Sequence, residues 1–268
     1  TKANGRQEEF DRNKLEYSLR RSGAPEKTIG LIVDHIEDEL EEGMSTGQIY
    51  SHAFFLLHKF EKPIAPRYSL RRAIMDLGPT GFPFEKFVAE IFKSKGYTAA
   101  TGQIVRGKCV EHEVDVVAYN ENKPIMAEVK FHNELGLRSD LKVVLYVKAR
   151  FDDLSGVEFN YGKPRNLDEG WLITNTKFTN TAIDYGMCNN MHMVGWNFPS
   201  KGNLQDLVED AGLHPITCLK SISPTQAKML VEQGVVLCKQ LKEHKETLNI
   251  LGLQQAEIND VFEEISFL

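Results

Sequence analysis

Cysteine is scarce in this chain. Cys109, Cys188, Cys218 and Cys238 stand far apart, and none forms a C-x-x-C. That spacing argues against a zinc ribbon and against a disulfide framework, so reduced thiols in a cytoplasmic protein are expected. Long apolar runs are missing: no stretch approaches the ~18 residues a membrane span needs, and no membrane partner is expected. Thr1 to Phe10 is polar and mixed in charge, unlike a signal peptide. There are no repeats and no low-complexity tract. An excess of positive charge is lacking too. The formal net charge is −6 and the pI about 5.8, so any nucleic-acid site must be local rather than a property of the whole surface.

What is present is an ordinary globular mixture, 41% hydrophobic and 26% charged over 268 residues, which excludes a largely disordered chain. Two or three units are expected at that length. Composition breaks the chain at the turn-rich Leu77-Gly78-Pro79-Thr80-Gly81 and again near Pro199-Ser200-Lys201-Gly202-Asn203. The resulting segments are 1–77, 78–201 and 202–268.

The first segment opens with a short polar strand and a turn at Asn4-Gly5. Leu15, Leu19, Ile29, Ile32, Val33, Ile36 and Leu40 then recur at helical spacing. Ser45-Thr46-Gly47-Gln48 starts a third helix through Phe60, and a fourth runs from about Pro66 to Leu77. The second segment alternates: helix 84–95, strands 114–119 and 125–131, helix 141–149, strand 171–176, helix 179–188 and strand 191–196. Such alternation predicts an α/β layer. The third segment is helical, with Ser223-Pro224-Thr225-Gln226 as a start signal and Gly234 as a stop.

The chemistry concentrates in Glu111 to Asn133. If Tyr119 pairs with Pro124 across the loop 120–123, Asp115 lies directly opposite Glu128, with Cβ atoms ~5 Å apart. Carboxylates that close repel unless a positive charge lies between them. A cation with oxygen preference such as Mg²⁺ fits, and Lys130 points into the same space, where an ammonium can orient water and offset developing charge. Glu85, at the edge of the buried face of helix 84–95, is a third candidate acid. The alternative is a solvated hairpin with a Glu113–Lys130 cross-strand pair.

Gly81-Phe82-Pro83-Phe84-Glu85-Lys86-Phe87, Gly96-Tyr97, Glu113-Val114-Asp115-Val116-Val117, Glu128-Val129-Lys130 and the later run Trp171 to Phe178 with Thr181-Ala182 resemble the PD-(D/E)XK restriction-endonuclease superfamily, in its Mrr-like branch. The resemblance covers roughly residues 78–200. It implies that Asp115 and Glu128 bind Mg²⁺ (or Mn²⁺), that Lys130 is catalytic, and that Glu85 assists at the metal. No Pro precedes Asp115, a departure common in the superfamily.

Residues 1–76 resemble a second family, the ATP-cone domain of ribonucleotide reductases, through Thr1 to Arg6, Phe10-Asp11-Arg12-Asn13-Lys14-Leu15, Ser45 to Ile49 and Arg67-Tyr68. That resemblance implies ATP or dATP as effector, contacted by Lys2, Glu8, Asp11, Lys14 and Thr46; Arg6 joins them on charge alone. The tail from Pro215 faintly resembles helix-hairpin-helix modules. Its segment carries a net charge of −5, which favours packing or oligomerisation over phosphate contact.

The expectation is therefore a restriction-endonuclease-like α/β (or α+β) core between a small, mostly helical ATP-cone and a helical C-terminal segment. Its function would be Mg²⁺-dependent cleavage of DNA, prokaryotic and defensive, switched by nucleotide through a homo-oligomer. The alternative is a nucleotide-sensing DNA-binding or assembly protein that no longer cuts.

Overall fold

The computed structural model describes residues 1, 7–61, 64–134, 136–243 and 245–268. The expected opening strand and Asn4-Gly5 turn lie outside them. Helix α1 (Arg12–Arg21) begins where the Asp11 side chain accepts a hydrogen bond from the Lys14 amide. Helices α2 (Glu26–Asp38) and α3 (Thr46–Phe60) follow. The Ser45–Gln48 capping box forms as expected: the Ser45 hydroxyl accepts from the Gln48 amide at 3.2 Å, and Gln48 Oε1 accepts from the Ser45 amide at 2.8 Å. Thr28, at the start of α2, donates to Glu61 just beyond the end of α3, at 2.8 Å. Helices α2 and α3 are thus antiparallel, and their Ile29, Ile32, Val33, Ile36 and Leu57 share one core with Leu15 and Leu19 of α1.

The single helix expected over 66–77 is broken at Ser69 into α4 (Ala65–Tyr68) and α5 (Leu70–Met75). Helix α5 leaves the first core: Leu70, Ala73, Ile74 and Leu77 pack with Phe84, Phe87 and Phe92 of α6 (Phe82–Ser94).

A five-stranded mixed sheet follows. Its strands are β1 (Thr98–Arg106), β2 (Glu111–Tyr119), β3 (Pro124–Lys130), β7 (Glu169–Thr174) and β9 (His192–Val194), neighbours in that order. The first two junctions are antiparallel, and β3/β7 and β7/β9 are parallel. The remaining strands form two small pairs, β4 (Arg138–Ser139) with β8 (Lys177–Phe178), and β5 (Glu158–Tyr161) with β6 (Lys163–Asn166).

Helix α7 (Leu141–Leu154) and helix α8 (Asn180–Cys188) cover one sheet face, through Val144, Val147, Phe151 and Ala182 against Val117, Met126 and Leu172. Helix α6 covers the other, through Val116, Ala118, Ile125, Ala127 and Ile173. The C-terminal helices α9 (Leu204–Asp210), α10 (Pro224–Glu232), α11 (Cys238–Glu243) and α12 (Gln255–Ser266) share that second core. The tail therefore packs on α5 and α6, and the Thr217 hydroxyl donates to the Ala73 carbonyl at 2.5 Å. The architecture is mixed α/β with a helical C-terminus. Among the described residues no helix is long and apolar enough to cross a membrane.

Candidate metal-dependent active site

The predicted hairpin register is found, with Tyr119 opposite Pro124 and Val116 opposite Ala127. One step further, the ladder stops. Asp115 does not form the backbone pair with Glu128 that register alone predicts. Its side chain takes over instead, and Oδ2 accepts the Val129 amide at 2.7 Å. Strand β1 skips the same level, pairing Thr101 with Val116 and Gln103 with Val114 around Gly102, whose φ is +60°. The sheet opens at Asp115, and a half-buried carboxylate occupies the gap.

Glu128 and Lys130 end β3 where it runs parallel to β7, opposite Leu172 and Thr174. The carboxyl end of parallel strands is where open α/β sheets place their ligand sites. Glu128 is half-buried and Lys130 exposed. Glu85, in the first turn of α6, turns its carboxylate back towards Gly81, so close that a Cβ at Gly81 would sit 3.4 Å from Oε1. The structure thus brings Glu85, Asp115 and Glu128 within electrostatic range of one another, with exposed Glu113 beside them. The Glu113–Lys130 ion pair does not form among the described residues.

The charges are poorly balanced. Burial, then Asp115 and Glu113, push the Glu85 carboxyl up to about 7. Burial and Asp115 likewise push Glu128 up to about 7. Asp115 is also raised by burial, against the opposing pull of the Val129 amide. Each acid resists ionising because the others are near and water is partly excluded.

Sequence reasoning missed Arg150, whose guanidinium pairs with Glu128 Oε2, donates to the Glu113 carbonyl at 3.0 Å and stacks over the Tyr146 ring at 4.9 Å. A signal existed: Arg150 falls three residues after Val147 and four before Leu154, on the apolar stripe of α7. Glu128 stays raised despite this partner, since burial and Asp115 outweigh it. Asp115 Oδ1 and Glu128 Oε1 accept no hydrogen bond among the described residues. Two such oxygens in a cluster carrying surplus negative charge fit a hard divalent cation, which takes one or two carboxylates and completes its shell with water.

A buried polar network fixes the segment after Lys130. Asn175 Oδ1 accepts the His132 amide at 2.9 Å, and Asn175 Nδ2 donates to the His132 carbonyl at 2.9 Å. The His132 ring meets Ser139 Oγ at 3.0 Å. Asn175 is 1% exposed, and Asn175→Ala leaves the N–H and C=O of half-buried His132 unpaired. We expect a loss of ~1–3 kcal/mol in unfolding free energy, read from the urea midpoint at unchanged m-value.

In the N-terminal segment, Asp11 caps α1 and meets Lys14 Nζ at 3.1 Å, which holds its carboxyl below the usual range. Thr46 donates from its amide and its hydroxyl to the Thr1 carbonyl, at 2.8 and 3.1 Å. Glu8 is exposed. Lys2 and Arg6 lie outside the described residues.

A relative from Archaeoglobus fulgidus, an uncharacterised protein, is 34% identical over 178 residues, which is 66% of this chain and 97% of the relative. The chain belongs to the AF1548-like family. The model of that family's C-terminal part matches residues 214–268, the helices packed on α5 and α6. The crystal structure of AF1548, a protein of unknown function, superposes with a TM-score of 0.56 at 33% identity, over 70% of this chain and 97% of that one. Can2 from Sulfobacillus thermosulfidooxidans, solved with cyclic tetra-adenylate, reaches a TM-score of only 0.34 at 11% identity, over 74% of this chain and 55% of that one. That score is too low to bear on fold or activity.

Proposed function

We propose that this AF1548-like chain is a metal-dependent DNA endonuclease of the restriction-endonuclease-like, Mrr type. Its active site would be Asp115, Glu128, Lys130 and Glu85, with adenine nucleotide bound by residues 1–77. The observation that carries the reading is the opened hairpin: half-buried acids converge where β2 parts from β3, and a lysine stands at the mouth.

Asp115 and Glu128 would hold Mg²⁺ or Mn²⁺ through the two oxygens that lack donors. The ion, when bound, supplies Lewis-acid stabilisation of charge on a phosphodiester. Lys130, exposed beside that position, orients the attacking water and offsets charge on the phosphoryl oxygens. Glu85, whose carboxyl sits near 7, exchanges a proton at neutral pH. Arg150 holds Glu128 in place by its Oε2 and leaves Oε1 without a donor among the described residues. That same pair favours the non-cleaving alternative, since it supplies a built-in cation. Incubation with plasmid DNA and Mg²⁺ or Mn²⁺ separates the two. The nuclease reading requires nicked or linear product that disappears with chelator, and intact plasmid under every divalent ion would leave a binding protein.

For the regulatory part, Lys2, Arg6 and Thr46 are proposed contacts, and the Thr46 hydroxyl donates to the Thr1 carbonyl. Glu8, Asp11 and Lys14 complete the proposed contacts for ATP or dATP, and a homo-oligomer in the cytoplasm would be the assembly they switch. Lys14→Ala should weaken nucleotide binding by ~1.5–3 kcal/mol, the worth of a hydrogen bond to a charged group. Calorimetry on the full chain checks this, and an unchanged heat and affinity in the variant would remove Lys14 from the site.

A further inference from the structure

Helices α2 and α3 meet a second time at the end of their hairpin, where residues 39–45 turn the chain. His35 lies in the last turn of α2, Glu39 caps that helix, and His52 sits in the second turn of α3. One nitrogen from each histidine and one oxygen of Glu39 lie within 4.8 Å of one another. His35 Nε2 is 3.3 Å from Glu39 Oε1, and His52 Nδ1 is 3.4 Å from Glu39 Oε2. The two rings stand nearly perpendicular, centroids 5.2 Å apart.

We infer that His35, Glu39 and His52 form a binding site for a zinc-class divalent ion that clips α2 to α3. The cluster gathers two ring nitrogens and a carboxylate from two helices within 4.8 Å of one another. Charge-assisted N–H···O bonds run to ~2.7–2.9 Å, and both contacts here are longer. Each histidine nitrogen faces a different Glu39 oxygen, so the carboxylate lies between the two rings and within reach of an ion held by both. The histidine spacing from Glu39 is one helical turn, so both groups leave the same face of α2. The antiparallel packing of α3 then presents His52 from across the groove.

Two features draw a cation to this place. Asp38, Glu41 and Glu42 flank Glu39, and their field is negative, while Glu37 pairs with Arg12. The carboxyl end of α2 adds the negative end of its dipole. The three side chains are 46, 52 and 27% exposed, so an ion enters without disturbing the core and keeps at least one water ligand. Two imidazoles and one carboxylate suit zinc, cobalt or nickel rather than Mg²⁺, which prefers oxygen alone. The clip would close the helical hairpin whose turn lies against Thr1, the Thr1 nitrogen standing 2.7 Å from the Met44 carbonyl.

The test uses the full chain, stripped with chelator and then titrated with zinc against a chromophoric competitor, with Mg²⁺ in excess throughout to hold the acids of the sheet site. One zinc per chain is expected. His35→Ala, His52→Ala and Glu39→Gln should each lower affinity by at least about tenfold, the least that loss of a group supporting a metal ligand costs. His112→Ala should not, since His112 pairs with Asp153 at 2.7 Å elsewhere. Cobalt in place of zinc should give a visible ligand-field band in the wild type and in Asp115→Ala, lost in His52→Ala. If the wild type takes up no zinc, or if the His35→Ala/His52→Ala double variant binds it as well as the wild type, the site does not exist.

Discussion

Asp115→Ala and Glu128→Ala are each expected to lower Mg²⁺-dependent DNA cleavage by at least ~10²–10³-fold, the scale of losing one preorganised charge-stabilising group. Each removes one of very few protein oxygens available to the ion. The two variants should differ in stability. Asp115→Ala leaves the Val129 amide without its acceptor, while Glu128→Ala leaves the Arg150 guanidinium, already partly enclosed, without its counter-ion. Removing one partner of such a pair costs more than the pair contributes, so Glu128→Ala should be the less stable protein. Cleavage kinetics and thermal unfolding on the same preparations read both effects, and a Glu128→Ala variant that still cuts at the wild-type rate would remove this residue from the site.

Glu85→Gln should stabilise the protein at pH 8 and not at pH 5. The sign follows from the raised carboxyl. A group near 4.5 in the unfolded chain and about 7 in the fold favours folding less as pH rises through that window, because the folded state must give up a proton it holds more tightly. Above about pH 7 the whole penalty is present, and Gln removes it. Because Glu85 is only half-buried, solvent screens part of the effect and a gain of ~1–2 kcal/mol is expected. Thermal melts in chelator at the two pH values measure it. A gain of equal size at pH 5 would show that packing, not charge, is responsible. The same substitution should slow cleavage, since a destabilising acid held in a site is the usual cost of function.

The hairpin was legible because its signals are local. Alternation marks β2, an apolar run marks β3, and the loop 120–123 pins the register, so Tyr119 opposite Pro124 follows from sequence. The opening at Asp115 was not legible, because it depends on Gly102 of β1, a strand that sequence did not reveal. Thr98–Arg106 reads TAATGQIVR, a half-exposed edge with small polar residues and no alternation to detect. The β5/β6 hairpin was hidden for the same reason, its turn made by Gly162 at φ +77° among polar neighbours. Helix starts at Ser45 and Ser223 were visible because a capping box is a four-residue pattern. The break at Ser69 was not visible. It arises where α5 turns away from Tyr68 and the first core to pack on Phe84 and Phe87, and tertiary packing of that kind leaves no local mark. Arg150 and Asn175 were overlooked for a related reason: each acts on a residue more than twenty positions away.

The measurement that bears most directly on the central claim pairs Mg²⁺ binding with plasmid cleavage in Lys130→Ala. Lys130 is exposed and would not touch the ion, so calorimetry should give the variant an affinity for Mg²⁺ close to that of the wild type. Its cleavage rate should fall by at least ~10²-fold. A variant that binds Mg²⁺ and cuts as the wild type does would contradict the assignment of Asp115, Glu128 and Lys130 as one catalytic centre.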